Sequence, residues 1–257
     1  MIYFVGAGPG APDLITVRGK SLLERCDMLI YAGSLVNPAL LDFAKPGCRI
    51  FDSASMTLEE VIARFIEGEE NRWLTVRLHT GDPSIYGAVR EQMDQLQARD
   101  IQFKVVPGVS SFCAAAAALR AEYTLPGISQ TLIISRVAGR TPSPPNEDLA
   151  LLASHGASMA VFLSAALIGE VREKLLAGGL APETPAAIVY KASWPDEKIV
   201  RGTVDSLPAM QKELGEDKTA LILVGGFLKS SYQRSRLYHP DFEHGFRRRK
   251  PERETGD

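Results

Sequence analysis

Charge of one sign is what this sequence lacks most plainly. Its 29 lysines and arginines nearly balance 31 aspartates and glutamates, leaving a net charge of -2. No global positive field is there to gather nucleic acid or anionic lipid. Long apolar runs are missing too. Nothing approaches the ~20 residues of a membrane-spanning helix, and the longest small-residue run, Cys113 to Leu119, reads as an Ala-rich helix. The apolar stretch at residues 1–5 is one strand long, has no basic residue before it and runs into a Gly-rich turn, which speaks against a secretory signal. Cysteine is scarce: Cys26, Cys48 and Cys113 are odd in number and fit no zinc spacing. Three reduced thiols in or near the core of a cytoplasmic protein are the expectation. The histidines, His79, His155, His239 and His244, form no HxH or HExxH arrangement, so no protein-held metal is expected.

What is present is a hydrophobic fraction of 45% in 257 residues, enough to bury a sizeable core without disulfides. The first half alternates strand and helix signals. Ile2 to Val5 is an apolar strand, Thr16 to Cys26 a helix, and Asp27 to Tyr31 the next strand. Asn37-Pro38 reads as a helix start, with Asn as cap and Pro at the first position. Thr57-Leu58-Glu59-Glu60 is a capping box, after which Leu58, Val61, Ile62, Phe65 and Ile66 mark one buried helix face. Trp73 to Leu78 is a strand, Tyr86 to Arg99 a helix and Phe103 to Val106 a strand.

Such alternation predicts a mostly parallel sheet covered by helices, whose ligands sit beyond the carboxyl ends of the strands. The loops there, Gly6–Pro12, Gly33–Asn37, His79–Gly87 and Pro107–Ser111, are rich in Gly, Pro and small polar residues. The second half predicts strands at 130–135, 158–163, 185–190, 198–202 and 220–224, with helices at 146–154, 167–177 and 204–213. The short link between 190 and 198 suggests an antiparallel hairpin, hence a mixed sheet. The predicted fold is therefore α/β in two domains: residues 1–115 with the parallel sheet, residues 116–231 with the mixed one, and a loose basic tail at 232–257.

Three motifs carry candidate chemistry. Gly6-x-Gly8-x-x-Ala11 after a strand matches the dinucleotide-binding pattern in form. Pro9 and Pro12 interrupt the helix that should receive a pyrophosphate, and Tyr31-Ala32-Gly33 stands where an acidic ribose contact is needed. A nicotinamide-dependent oxidoreductase is thereby disfavoured. His79 to Gly87 contains Asp82-Pro83-Ser84, which is also ordinary turn chemistry. In Pro107-Gly108-Val109-Ser110-Ser111, either serine is a natural helix cap, and the free N–H groups of that helix start suit a ligand carboxylate.

Gly6-Ala7-Gly8-Pro9-Gly10 with Pro12-Asp13-Leu14-Ile15-Thr16 resembles the opening signature of the tetrapyrrole methylases, S-adenosylmethionine-dependent enzymes of porphyrin and corrin synthesis. Gly81-Asp82-Pro83 and Pro107 to Ser111 resemble their second and third signatures, and order and spacing agree to about residue 228. Residues 31–36, 81–87, 122–126, 139–142 and 190–197 resemble the branch that methylates carbon 11 of precorrin-4 or its cobalt form, in cobalamin synthesis. Another acceptor is the alternative: uroporphyrinogen III, another precorrin, diphthamide or ribosomal RNA. The resemblance implies an active-site cleft between the two domains, with the donor S-adenosylmethionine held by Pro9, Gly81, Asp82, Ile85, Ser110, Ser111, Leu163, Ser164, Tyr190 and Ala220. Ala11, where relatives often carry Asp, implies ligand contact there through backbone alone. The acceptor's acetate and propionate groups would be held by cations, for which Arg18, His79, Arg140 and Lys191 are the candidates. No general base is identifiable. The resemblance also implies a homodimer, and the balanced charge and short apolar runs predict no nucleic-acid or membrane partner.

Overall fold

In the first sheet, β1 (Ile2–Gly6), β2 (Met28–Tyr31), β3 (Arg49–Asp52), β4 (Thr75–His79) and β5 (Phe103–Val106) lie in the order β3-β2-β4-β1-β5. All four strand pairs are parallel. These details come from a computed structural model that describes residues 1–248, apart from Ser34, Arg140, Ser230, Ser231, Arg234, Arg236, Tyr238 and Pro240. Parallel neighbours need crossovers, and the helices that supply them cover both faces. Along β1 the side chains alternate. Ile2 and Phe4 face a core with Val61, Ile62 and Phe65 of α2 (Leu58–Glu70) and Leu96 of α3 (Arg90–Gln97). Val5 faces the opposite core, with Leu22 and Leu23 of α1 (Val17–Leu23). Burial of each such side chain contributes about 1.5–3 kcal/mol.

Local signals start these helices. Thr16 accepts the Gly19 N–H at 3.1 Å to open α1. Thr57 and Glu60 close the expected capping box at α2. Other expectations are corrected. Asn37 does act as a cap, but the element it opens, Pro38–Phe43, is a 3-10 helix. The helix expected from Tyr86 begins only at Arg90, because Tyr86 and Ala88 take left-handed backbone (φ 53° and 47°). Strand β3 had no sequence signal: it is a four-residue edge strand, mostly exposed, with Arg49 and Asp52 at its ends.

The strand order explains where a ligand can bind. From β1 the chain crosses past β4 to β2, whereas from β4 it crosses past β1 to β5, over the opposite face. Adjacent strands whose connections depart in opposite directions leave a crevice at their carboxyl ends. Here that switch point lies between β1 and β4, so the loops after Gly6 and His79 form its walls.

Next come α4 (Ser111–Leu119), β6 (Leu132–Arg136), α5 (Leu149–Ala153), β7 (Ser158–Phe162), α6 (Ile168–Ala177), β8 (Pro185–Tyr190), β9 (Lys198–Thr203), α7 (Leu207–Leu214) and β10 (Ala220–Val224). The second sheet has the order β6-β7-β10-β8-β9. It is mixed, with β6 parallel and β10 antiparallel to β7. Strands β8 and β9 are neighbours, as the short link required. The helix expected at 146–154 starts late: Pro145–Glu147 is a 3-10 turn and Asp148 caps α5. The chain forms two compact units. One is Met1–Arg120 with Ile188–Val200 and Gln211–Leu221; the other is Ala121–Ala187 with Arg201–Met210 and the segment from Ile222.

Cys26 is buried and Cys48 half-buried, whereas Cys113, expected like them in or near the core, is exposed. Among the described residues of the segment from Tyr232, Arg247 makes local hydrogen bonds. The Arg247 guanidinium donates through Nη2 to the carbonyls of Leu237, His239 and Phe242 at 2.6, 2.8 and 3.0 Å. No described helix is long and apolar enough to cross a membrane.

Candidate active site

At the switch point three loops are fused into one backbone surface. Ala7 N–H donates to His79 O at 2.7 Å, and Gly8 and Gly81 exchange N–H···O bonds of 3.2 and 2.8 Å. Gly6 and Gly108 meet so closely that side chains are impossible. A Cβ at Gly6 would lie 2.4 Å from Gly108 Cα, and one at Gly108 would lie 2.1 Å from Gly81 O. Asp82 ties the same loops by its carboxylate. Oδ2 accepts the Gly108 N–H at 2.8 Å; Oδ1 accepts the Ser84 N–H at 2.8 Å and the Ser84 hydroxyl. Partial burial pushes the Asp82 pKa up, but these bonds from Ser84 and Gly108 outweigh it and hold the carboxyl below its ordinary range.

The opening turn is latched from a distant segment of the same unit. The Trp194 indole N–H donates to Pro9 O at 3.0 Å, and Ala11 N–H donates to Ser193 Oγ at 3.0 Å. Asn37 Nδ2 donates to Gly10 O at 2.8 Å. Gly10 is pressed on the indole, where an added Cβ would come within 2.0 Å of it. Two expectations change. Ala11 N–H is already bonded, so it is not available to a ligand. Pro9 is buried and its carbonyl already holds Trp194. The latch was not readable in the sequence because its partners are 185 residues apart.

Of the other expected donor contacts, Gly81 and Ser110 are buried, and Ile85 donates its N–H to Asp82 O at 3.2 Å. Ser110 stands at the N-cap of α4, and its side chain makes no capping bond; Ser111 is the first residue of the helix. Tyr190 ends β8 nearly buried, and Ala220 starts β10 half-buried. In the second unit, Ser164 is fully buried and committed: its Oγ accepts the Val137 N–H at 2.9 Å and donates to Phe162 O. Its neighbour Leu163 is exposed in left-handed backbone, φ 52°.

Backbone strain marks these loops as well. Among the described residues, nine that are not glycine have positive φ. Arg72, Asp100 and Arg120 follow helices, an ordinary place for such backbone. Of the other six, Leu163, Lys191 and Ser193 follow strands, Thr219 precedes β10, and Tyr86 and Ala88 lie in the loop between β4 and α3. Strain of this kind, costing about 1–3 kcal/mol each, concentrates at binding sites.

The expected cations fare less well. Arg18 is exposed on α1. Lys191 is paired with Asp196 at 2.6 Å and lies 5.3 Å from the ring centroids of Tyr190 and Trp194. That carboxylate raises its pKa. Arg140 lies outside the described residues. His79 is corrected: only 4% exposed, it is pushed down to about 3 by burial and by the Arg77 charge. It is neutral near pH 7 and cannot hold a carboxylate as a cation.

The cation that does stand at the site is Arg77, 6% exposed in the middle of β4. Its Nε donates to Gln92 Oε1 at 3.2 Å and its Nη1 to Ser53 Oγ at 2.8 Å. Burial lowers its pKa to about 10, against the opposing charge of Asp52. In the sequence Arg77 is hidden inside an apolar strand. The available signal was the charge itself, set between Val76 and Leu78 where a parallel strand is covered on both faces.

Comparison with known proteins agrees with this construction. The family model described as tetrapyrrole (corrin/porphyrin) methylases matches residues 1–208. The cobalt-precorrin-4 C(11)-methyltransferase of Methanocaldococcus jannaschii is 50% identical over 248 residues, 96% of each chain. The X-ray structure of a cobalamin biosynthetic enzyme, cobalt precorrin-4 methyltransferase, superposes with a TM-score of 0.87 at 45% identity, covering 89% of this chain and 95% of that one. A uroporphyrin-III C-methyltransferase from Thermus thermophilus, solved with S-adenosylhomocysteine, superposes at 0.73 with 25% identity, covering 89% and 93%. The fused glycine loops, the strand order that creates their crevice and these likenesses together make the chain a member of the tetrapyrrole methylases.

Proposed function

We propose that this chain transfers a methyl group from S-adenosylmethionine to carbon 11 of cobalt-precorrin-4, in the synthesis of cobalamin. The observation that carries the reading is the backbone surface at the switch point, built where Gly6, Gly81 and Gly108 exclude side chains. Such a surface fits a donor whose polar groups are met by main-chain atoms. Gly81, Asp82, Ile85, Ser110, Ser111, Tyr190 and Ala220, all of the first unit, would hold it. When bound, S-adenosylmethionine supplies a methyl carbon activated by its sulfonium. The task left to the protein is alignment and exclusion of water, and proximity with orientation can supply about 7–11 kcal/mol of a barrier. Rigid loops serve this directly. Asp82 keeps two of them in register, and Trp194 keeps the third from lifting. In this reading the cobalt would be part of the substrate.

The balanced charge favours a small anionic ring over RNA as acceptor. Family likeness supports a homodimer working in the cytoplasm, which light scattering and fractionation test. Calorimetry with S-adenosylhomocysteine and NAD tests the donor: binding of the first and not the second is expected. Supplying precorrin-4 with and without cobalt tests the acceptor. One added methyl at carbon 11 by NMR is expected; a methyl elsewhere, or none, would sink the assignment.

A further inference from the structure

Beside the fused loops, toward β2 and β3, lies a cavity of about 230 Å³. Its lining includes Ala32 and Leu35 after β2, Ser53 after β3, Arg77 and His79 of β4, and Gln92 of α3. The volume is far above the roughly 10–15 Å³ that one water needs. Arg77 is its one buried cation among the described residues, and no carboxylate comes within ion-pair distance of it. Asp52 is committed elsewhere, its Oδ1 accepting the N–H groups of Gly33 and Ala54 at 2.9 Å each. Glu91 also lines the cavity, exposed on the first turn of α3.

The guanidinium is nonetheless held in place. Gln92 accepts from Arg77 and donates its amide to Ala88 O at 3.0 Å; Ser53 accepts from Arg77 and donates to Tyr31 O at 2.9 Å. Both partners are neutral and themselves anchored to main-chain carbonyls, so they fix its orientation while neutralising no charge. Its Nη2 has no hydrogen-bond partner among the described residues. His79 adds a buried Nε2 with no hydrogen-bond partner. A desolvated, oriented cation that feels the charge of Asp52 but forms no ion pair with it costs stability, and the arrangement is explained if an anion arrives to complete it.

We propose that this cavity is an acid subsite, in which the guanidinium of Arg77 receives one carboxylate side arm of the tetrapyrrole acceptor. The inference rests on the acceptor class proposed above. Arg77 acts in binding and orientation: a fork of N–H donors meets a planar carboxylate and fixes the rotation of the ring that bears it. The same chemistry would suit the amino-acid carboxylate of the donor, and the test separates the two sources.

Binding of cobalt-precorrin-4 to the protein with S-adenosylhomocysteine present is followed by absorbance, and binding of S-adenosylhomocysteine alone by calorimetry. Arg77→Gln should weaken the tetrapyrrole about 10- to 100-fold, as expected for a lost charge-assisted bond, and leave S-adenosylhomocysteine within about twofold. Leu35→Glu introduces a competing carboxylate at a position 41% exposed, so it keeps the test decisive if Arg77→Gln does not fold. It should weaken the tetrapyrrole at least fivefold more than Leu35→Gln, on the order of one unfavourable charge contact. Unchanged tetrapyrrole affinity in variants that still bind S-adenosylhomocysteine overturns the subsite. A parallel loss of S-adenosylhomocysteine affinity overturns it too, by assigning the carboxylate to the donor. A wild-type protein that binds S-adenosylhomocysteine but no corrin precursor would instead remove the acceptor reading, and the subsite with it.

Discussion

Two regions at the carboxyl edge of one sheet are built on opposite plans. At β1, β4 and β5 the surface is main chain, closed by glycines that touch and by Asp82 holding Gly108. Toward β2 and β3 it is side chain, with a buried guanidinium steadied by Gln92 and Ser53. The first plan places atoms where no rotamer can move them, which suits alignment of a reacting methyl. The second tolerates exchange of partners, since a hydrogen-bonded cation can take up or release an anion without backbone change. The difference implies that the glycine loops are sensitive to volume, and the Arg77 region to charge.

Volume should give the largest effect. Gly108→Ala places a methyl 2.1 Å from Gly81 O, and we expect a loss of about 3 kcal/mol or more in denaturant unfolding, with turnover abolished. A change below about 1 kcal/mol would mean that the loops can part, and the contrast would fail. Arg77→Met should shift stability by less than half as much, because a lost hydrogen-bond set is offset by relief of an unpaired buried charge.

Asp82→Asn should come next, at about 1–2 kcal/mol for a charged group accepting from main-chain N–H. Its pH dependence has a fixed sign. A carboxyl whose folded pKa is depressed stabilises above the unfolded value and loses that contribution as pH falls through the folded one. The gap between wild type and Asp82→Asn should therefore be full at pH 7 and close below about pH 4. Trp194→Phe removes one bond to Pro9 O and should cost about 0.5–1.5 kcal/mol while weakening S-adenosylhomocysteine binding. Lys191→Met, at an exposed ion pair with Asp196, should leave the melting temperature unchanged within error.

Much of this edge is legible in the sequence alone. Gly and Pro bias picks out the loops after β1, β4 and β5, because close main-chain approach needs residues without side chains. The capping box at Thr57 and the alternation of β1 are equally local, and local signals survive folding. What escapes depends on distance or burial. Strand β3 is short, exposed and charged, so only pairing with β2 defines it. His79 reads as a cation until its burial is known. Asp82 reads equally as turn residue or ligand contact; its bonds to Ser84 and Gly108 make it a lock between loops. Arg77 could have been flagged, since a charge in a strand covered on both faces needs a reason.

The latch between Trp194 and Pro9 also carries a consequence for biosynthesis. At ribosomal rates of about 5–20 residues per second, the opening turn must wait roughly 10–40 seconds before residue 194 exists to hold it. Through most of translation the first five strands can pair while Gly10 stands uncovered. A nascent chain released before Trp194 would therefore carry its glycine loops but lack the indole that closes them.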